Sequence, residues 1–171
     1  MSPPENEQPP SLLLAASSHR SGSTLLQRYI TAISDIFVWG ENGELIPSLR
    51  RTWAEWPQTR RNERDYRESM ADSSFMQRAY TPNLSPPREA ALAAFRGAML
   101  SIYRDMPGDF HSWGWKAVQY GVEEIDFVRT LFPDIRVILL VRNPWEVARS
   151  VRRKGWIDKR GYFEDMSQVA T

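Results

Sequence analysis

The sequence predicts a three-layer α/β fold with a central parallel sheet flanked by helices, and two apolar stretches carry this prediction. Leu12–Ala16 is a short, fully apolar run, long enough for a buried parallel strand and too short to span a membrane. Val137–Val141 is a second uninterrupted run, rich in β-branched residues and apolar on both faces. Helical periodicity separates these two runs. Strands separated by helices are joined by right-handed crossovers, which place the strands in a parallel sheet.

A loop of small residues connects the first predicted strand to the first predicted helix. The strand stops at Ser17, and the loop continues through Gly22 to Thr24. Apolar residues then recur at helical spacing, namely Leu25, Leu26, Tyr29, Ile30 and Ile33. The first N–H groups of a helix have no internal partner and carry partial positive charge. Gly22 allows a ligand close to the backbone, Arg20 adds a full charge, and hydroxyl donors come from Ser21, Ser23 and Thr24. We therefore expect this loop to bind a phosphate or sulfate group.

A second strand is predicted over Ile36–Trp39, which is a compact run of residues with high β-propensity. Gly40 and the pair Asn42-Gly43 end this run, and Glu41 lies between them. A glutamate in a surface turn beside Asn42-Gly43 is one interpretation of Glu41.

The segment 50–67 alternates arginines with acidic residues around Trp53 and Trp56. One interpretation is a solvated helical face with salt bridges. The other is a wall of an acceptor cleft, in which arginine and tryptophan recognise an anionic or sugar-like substrate. The sequence leaves both interpretations open.

Two further helices and a third strand are predicted in the second half of the chain. A helix over about Arg88 to Tyr103 would bury Leu92, Phe95, Met99 and Ile102. The run His111–Val118 reads as a short strand that ends near Lys116. The helix that follows and ends before Pro133 would bury Val122, Ile125, Val128, Leu131 and Phe132.

A second anion site is predicted directly after the strand Val137–Val141. Asn143 is a good N-cap, Pro144 suits the first helical position, and Glu146 can complete a capping box. Arg142 therefore follows the carboxyl end of a strand, and Ser150 lies two turns along the helix. An arginine can form a bidentate contact with a phosphate, and the serine hydroxyl can add a further bond. Because ligands of open α/β sheets bind at the carboxyl ends of the strands, both anion sites are expected at one edge.

Composition narrows the function classes. The 171 residues suit one hydrophobic core, and a formal net charge of +1 gives no global field that would attract nucleic acid or an anionic membrane. Cysteine is absent and two histidines lack partners at ligand spacing, so we expect no metal. Residues 1–10, MSPPENEQPP, are expected to be a disordered lead-in to a domain over 11–171. They have no basic and apolar signal-peptide pattern, which predicts a cytoplasmic protein.

The two loops together resemble those of sulfotransferases that use 3′-phosphoadenosine 5′-phosphosulfate (PAPS). The first loop departs from the nucleotide-triphosphate motif G-x-x-x-x-G-K-[ST] and is similar to the phosphosulfate loop of the tyrosylprotein and related bacterial branch, with His19 where proline is usual. The resemblance implies a P-loop-NTPase-like fold. It assigns the 5′-phosphosulfate to Arg20, Ser21, Gly22, Ser23, Thr24 and Leu25. The motif of an arginine, Asn-Pro and a serine eight residues on assigns the 3′-phosphate to Arg142 and Ser150.

Sulfuryl transfer needs a base for the acceptor hydroxyl and a cation for the leaving oxygen. Glu41 resembles the catalytic glutamate of the tyrosylprotein branch, and Lys116 resembles the lysine at a later strand end throughout the family. We expect Lys116 to act together with Arg20. Small-molecule sulfotransferases have a histidine base two residues after that lysine, where this chain has Val118; His111 is a rival base.

The resemblance also raises a question about the carboxyl terminus. Only 21 residues follow Ser150, whereas family members usually continue with further strands and a covering loop. We expect either a truncated form or a wall supplied by a second subunit, as in a homodimer. The predicted function is transfer of a sulfuryl group from PAPS to a hydroxyl of a carbohydrate, tyrosine or small metabolite, leaving adenosine 3′,5′-bisphosphate. The alternatives are a non-catalytic or truncated nucleotide-binding module and an atypical P-loop kinase.

Overall fold

The computed structural model describes residues 8–56, 60–72, 74–75 and 84–156. Its strands are β1 Leu12–Ala16, β2 Ile36–Trp39, β3 Ser112–Val118 and β4 Arg136–Leu140. Its helices are α1 Ser23–Ile33, α2 Leu45–Glu55, α3 Arg60–Ala71, α4 Arg88–Ile102, α5 Val122–Leu131 and α6 Pro144–Arg153. Within these residues no helix combines the length and apolar character that a membrane crossing requires.

The four strands form one parallel sheet in the order β2-β3-β1-β4. Ala16 at the end of β1 pairs with Val118 of β3 and with Leu140 of β4. The carboxyl ends of these strands therefore meet at one edge, from which the loops after β1, β2 and β4 depart. This confirms the predicted α/β fold with a central parallel sheet flanked by helices.

Helices cover both faces of the sheet, which gives three layers. Alternate side chains of β1 and β3 face a core formed with α2, α4 and α5, and Trp115 of β3 is completely buried there. On the opposite face, α1 packs against β1, β2 and β3. Gly114 of β3 permits close packing of the central strands, because a Cβ atom there would lie 2.2 Å from the carbonyl oxygen of Leu12.

The contact between α1 and β2 is polar, and this changes which residues of α1 are buried. Gln27 donates a hydrogen bond to the carbonyl of Val38 (2.9 Å), and the N–H of Val38 donates to Thr31 Oγ1 (3.2 Å). These side chains occupy the contact with the strand and satisfy its backbone groups. As a result, not all the apolar residues that recur at helical spacing along α1 are buried: Leu25, Tyr29 and Ile33 are exposed.

The last strand, β4, is apolar on both faces as its sequence indicates, but it is not buried on both. Leu139 of β4 is 59 % exposed, and Ile138 and the following Val141 are exposed as well. The reason is the strand order, since β4 is at the edge of the sheet in the described part of the chain. Two helical residues predicted to be buried, Ile102 and Val122, are likewise exposed, at the end of α4 and the start of α5.

The tryptophans of the segment 50–67 pack against neighbouring helices and loops. Trp53 contacts Phe127, and the guanidinium of Arg88 lies 3.6 Å from the centre of its ring. Trp56 donates its indole N–H to the carbonyl of Pro86 at 3.0 Å. Arg50 forms ion pairs with both glutamates of the first turn of α5. These contacts attach α2 to α4 and α5.

The expected lead-in, residues 1–10, is described from Gln8 onward; residues 1–7 lie outside the described residues. The carbonyl of Gln8 accepts a hydrogen bond from the indole N–H of Trp113 (2.8 Å), and Pro10 is buried. The chain therefore contacts the domain three residues before the expected boundary at 11.

Candidate active site

The loop between β1 and α1 leaves the N-terminus of the helix open. Arg20 and Gly22 both adopt positive φ angles, of 62° and 99°, which turn the chain tightly from strand to helix. The N-cap residue is Gly22, so no side chain caps α1, and the first turn has no acidic residue. The partial positive charge of the helix end is thus not neutralised by its own sequence. A bound anion would find N–H donors here.

The interior of this loop contains an unsatisfied hydroxyl. Ser21 is buried, and its Oγ has no hydrogen-bond partner among the residues that the structure describes. Ser23 is buried at the first position of α1, and the space beside Gly22 is open. A buried polar atom without a partner costs stability. An anion in the loop would remove that cost by accepting the hydrogen bond from Ser21.

The loop between β4 and α6 has the predicted N-cap and the predicted proline, whereas Glu146 pairs with arginines where a capping box was expected. Asn143 Oδ1 accepts a hydrogen bond from the N–H of Trp145 at 2.9 Å, and Pro144 occupies the first helical position. Glu146 lies in the first turn and forms ion pairs with Arg149 at 2.9 Å and with Arg142 at 3.6 Å. The N-terminus of α6 is therefore satisfied within the chain.

The two loops contact each other directly. Arg142 Nη1 donates to the carbonyl oxygen of Arg20 at 3.0 Å, and Arg20 Nε donates to Ser150 Oγ at 3.1 Å. The strand ends are also joined, because the N–H of Ser17 donates to the carbonyl of Leu140 at 3.0 Å. The cationic groups and hydroxyls of the two loops thus form one continuous surface at the edge of the sheet.

A carboxylate and a buried ammonium lie beside the first loop. Glu41 Oε1 is 2.8 Å from Lys116 Nζ, and Lys116 Nζ donates to Thr24 Oγ1 at 3.3 Å. The side chain of Lys116 is only 8 % exposed, whereas that of Glu41 is 44 % exposed. The loop after β2, the strand β3 and the first turn of α1 therefore meet at one point. A proton acceptor and a cation are adjacent there, on the same edge as the anion loops.

His111, the rival base, lies at the other end of the parallel strands, where β3 begins. It directly precedes β3, and its N–H donates to the carbonyl of Asp35 just before β2. Lys116 lies near the other end of β3, one residue beyond Trp115, which pairs with the last residue of β2. The parallel topology thus separates His111 from Glu41 and from both anion loops.

A protein-family model described as "Sulfotransferase family" matches residues 14–169. The chain belongs to the sulfotransferase family. A search among curated proteins found no match. The match covers both loops, Glu41 and Lys116, so the features gathered at this edge all lie in the sulfotransferase region. Membership of the family supports sulfuryl transfer to an acceptor substrate as the general activity.

Leu25, which the resemblance assigns to the 5′-phosphosulfate, has its backbone N–H bonded within the loop. The N–H of Leu25 already donates to the carbonyl of Gly22 at 3.0 Å, and its side chain points to solvent with 75 % exposure. Among the described residues, no group of histidine, aspartate and glutamate side chains is arranged to hold a metal ion.

The structure adds residues that the sequence patterns did not indicate. Tyr120 Oη donates to Asn42 Oδ1 at 2.7 Å, next to Glu41, and burial raises the pKa of the Tyr120 hydroxyl. At the first loop, Trp156 contacts the ring of His19 and lies 5.7 Å from the guanidinium carbon of Arg20. Asn42 had been interpreted as a turn residue only. The position of Tyr120, two residues after the strand with Lys116, is the one sequence feature that could have drawn attention to it.

Proposed function

We propose that this sulfotransferase transfers a sulfuryl group from PAPS to a hydroxyl group of an acceptor. The observation that carries the proposal is the contact between the two loops through Arg20, Arg142 and Ser150. A donor with phosphates at two positions needs two anion sites close together. A single mononucleotide with an unmodified ribose would need only the first loop.

The residues present fit such a donor. The uncapped N-terminus of α1, the open space at Gly22 and the unpartnered hydroxyl of Ser21 suit the 5′-phosphosulfate. Arg142 and Ser150 suit the 3′-phosphate, because a guanidinium and a hydroxyl both donate to phosphate oxygens. Neither loop requires a metal ion to offset the charge of the ligand, since each has its own cationic side chain.

The chain supplies positioning and charge for the reaction. When bound, PAPS provides a sulfuryl group activated by its bond to a phosphate oxygen, and this bond is replaced by one to the acceptor oxygen. Glu41 takes the proton of the acceptor hydroxyl, since its carboxylate is exposed at the edge of the site. Lys116, fixed between Thr24 and Glu41, stabilises negative charge on the leaving oxygen, and Arg20 adds a second cation.

The test of the base is Glu41→Gln, which keeps the shape of the side chain and removes its basicity. Transfer should fall by about 10²–10⁴-fold, while the affinity for adenosine 3′,5′-bisphosphate stays nearly unchanged. Turnover can be measured with labelled PAPS and a panel of carbohydrate, tyrosine-peptide and small hydroxyl acceptors. Glu44→Gln is the matched control, because Glu44 lies three residues on and is 79 % exposed. Equal turnover of Glu41→Gln and the wild type would remove Glu41 as the base.

The donor itself is tested by calorimetric titration of the wild-type protein. Adenosine 3′,5′-bisphosphate should bind at micromolar or lower concentration, and ATP should bind much more weakly because it lacks the 3′-phosphate. Comparable binding of ATP would contradict the PAPS assignment. Binding of the bisphosphate without transfer to any acceptor in the panel would instead support a non-catalytic nucleotide-binding module.

A further inference from the structure

Glu41 lies on a short loop, residues 40–44, whose backbone does little to fix its position. Gly40 is exposed, and Gly43 adopts a positive φ angle of 59°. The backbone hydrogen bond from the N–H of Leu45 to the carbonyl of Asn42, at 3.3 Å, is local to the turn. The position of the loop relative to the sheet must therefore depend on side-chain contacts.

Two consecutive residues of this loop bind to side chains that lie in β3 or two residues after it. Glu41 pairs with Lys116, and Asn42 Oδ1 accepts a hydrogen bond from Tyr120 Oη at 2.7 Å. The ion pair involves a half-exposed carboxylate, whereas Tyr120 is only 9 % exposed. The tyrosine contact is thus the better shielded of the two and can hold the loop when the Glu41 carboxylate leaves Lys116 for a substrate.

Tyr120 is itself fixed by the sheet. The preceding residue, Gln119, adopts a positive φ angle of 66°, and its N–H donates to the carbonyl of Ala16 at the end of β1. The ring of Tyr120 belongs to the core cluster that includes Trp115 and Phe127. A tyrosine hydroxyl is protonated at neutral pH, and burial raises the pKa of Tyr120 further above its ordinary value, so the hydroxyl is a hydrogen-bond donor.

We propose that Tyr120 and Asn42 are positioning residues that hold Glu41 beside Lys116 in the geometry needed for proton removal from the acceptor. This inference rests on the proposed function, in which Glu41 is the base. Asn42 binds Tyr120, whose ring is fixed in the core, and directly follows Glu41 in the chain.

The first test is Tyr120→Phe, which removes only the hydroxyl. The single-turnover rate of transfer should fall by about 10-fold, because small displacements of a catalytic group have large effects on rate. The KM for PAPS and the affinity for adenosine 3′,5′-bisphosphate should remain unchanged, since the anion loops are not altered. Tyr29→Phe is the matched control: Tyr29 is exposed on α1 and should transfer at the wild-type rate.

The second test combines Tyr120→Phe with Glu41→Gln. If Tyr120 acts through Glu41, the double variant should be no slower than Glu41→Gln alone. If Tyr120 had a purely structural role, Tyr120→Phe would lower the transfer rate of the wild type and of Glu41→Gln by the same factor. That result would overturn the inference. Tyr120→Phe combined with Asn42→Leu guards against misfolding, because replacing both partners by apolar groups is often nearly neutral. It should show the same 10-fold loss.

The outcomes separate this inference from the proposed function. An active wild type with a Tyr120→Phe variant of equal rate would overturn the positioning role and leave the sulfotransferase reaction intact. A wild type that transfers nothing to any acceptor in the panel would overturn the proposed function, and the positioning role with it.

Discussion

The loops after β1 and β4 are both strand-loop-helix connections at one edge of the sheet. They nevertheless offer different donor groups to an anion. The first loop leaves the N-terminus of α1 uncapped, has no acidic residue in the first helical turn, and keeps the hydroxyl of Ser21 unpartnered among the described residues. The second loop caps α6 with Asn143 and places Glu146 in its first turn. The first loop therefore offers its backbone to a ligand, and the second offers the side chains of Arg142 and Ser150.

This difference has consequences for how each loop responds to mutation. A site made from backbone N–H groups depends on the path of the chain and on the charge at the helix end. A site made from side chains depends on which side chains are present, and it tolerates substitution of the residue that caps the helix. Arg20 belongs to both sites, because its carbonyl accepts from Arg142 and its guanidinium donates to Ser150.

The largest contrast is expected when one negative charge is added to each loop. Gly22→Asp should weaken binding of adenosine 3′,5′-bisphosphate by about 3 kcal/mol, or about 100-fold, because a carboxylate would oppose the anion at an open helix end. Any side chain at residue 22 strains the backbone, because its φ of 99° is one that residues other than glycine rarely adopt; Gly22→Asn, which carries the same strain without the charge, is therefore the reference against which the loss is measured.

The matched change in the second loop is Asn143→Asp. Aspartate caps a helix as well as asparagine does, and residue 143 is exposed, so the loss should stay within about 1 kcal/mol. Both affinities can be measured by calorimetry at one salt concentration. Equal losses in the two variants would show that the loops do not differ in the way described.

An intermediate effect is expected for Arg142→Ala. Loss of the charged donor to the 3′-phosphate should weaken bisphosphate binding by about 1.5–3 kcal/mol and should leave the affinity for adenosine 5′-phosphate, which lacks that group, nearly unchanged. Arg149→Ala is the control: Arg149 lies on α6 and pairs with the same Glu146, whereas the bond to the carbonyl of Arg20 comes from Arg142. Equal losses for the two nucleotides would remove the 3′-phosphate assignment.

Local sequence patterns predicted the elements and both loops well. The helix expected over about Arg88 to Tyr103 is α4, Arg88–Ile102, and the N-cap at Asn143 is present as predicted. These features depend on neighbours within a few positions, such as apolar spacing or a capping side chain. The contact between the loops of Arg20 and Arg142 agrees with the expectation that both anion sites lie at one edge of the sheet, whereas the ion pair of Lys116 with Glu41 was not predicted.

Features that depend on distant parts of the chain were not predictable from these patterns. The exposure of Leu139 follows from the edge position of β4, which only the strand order reveals. The exposure of Tyr29 follows from the polar contact that Gln27 makes with β2. The hydrogen bond between Tyr120 and Asn42 joins residues 78 positions apart, and periodicity contains no information about such a pair.

The smallest expected effect distinguishes the two serines, Ser21 and Ser150, by what each hydroxyl contributes to the free and to the ligand-bound protein. Ser21→Ala removes a buried hydroxyl that has no partner in the described residues, so the free protein should melt at the same or a slightly higher temperature. Ser150→Ala removes the acceptor of the Arg20 bond and should lower the melting temperature of the free protein slightly or not at all, since that bond is exposed. With saturating adenosine 3′,5′-bisphosphate, each variant should lose about 1 kcal/mol of the stabilisation by ligand. Melting curves with and without the bisphosphate measure both effects. Ser21→Ala could instead destabilise the free protein and keep the full increase in melting temperature on addition of the bisphosphate. The Ser21 hydroxyl would then stabilise the fold and would not bind the anion.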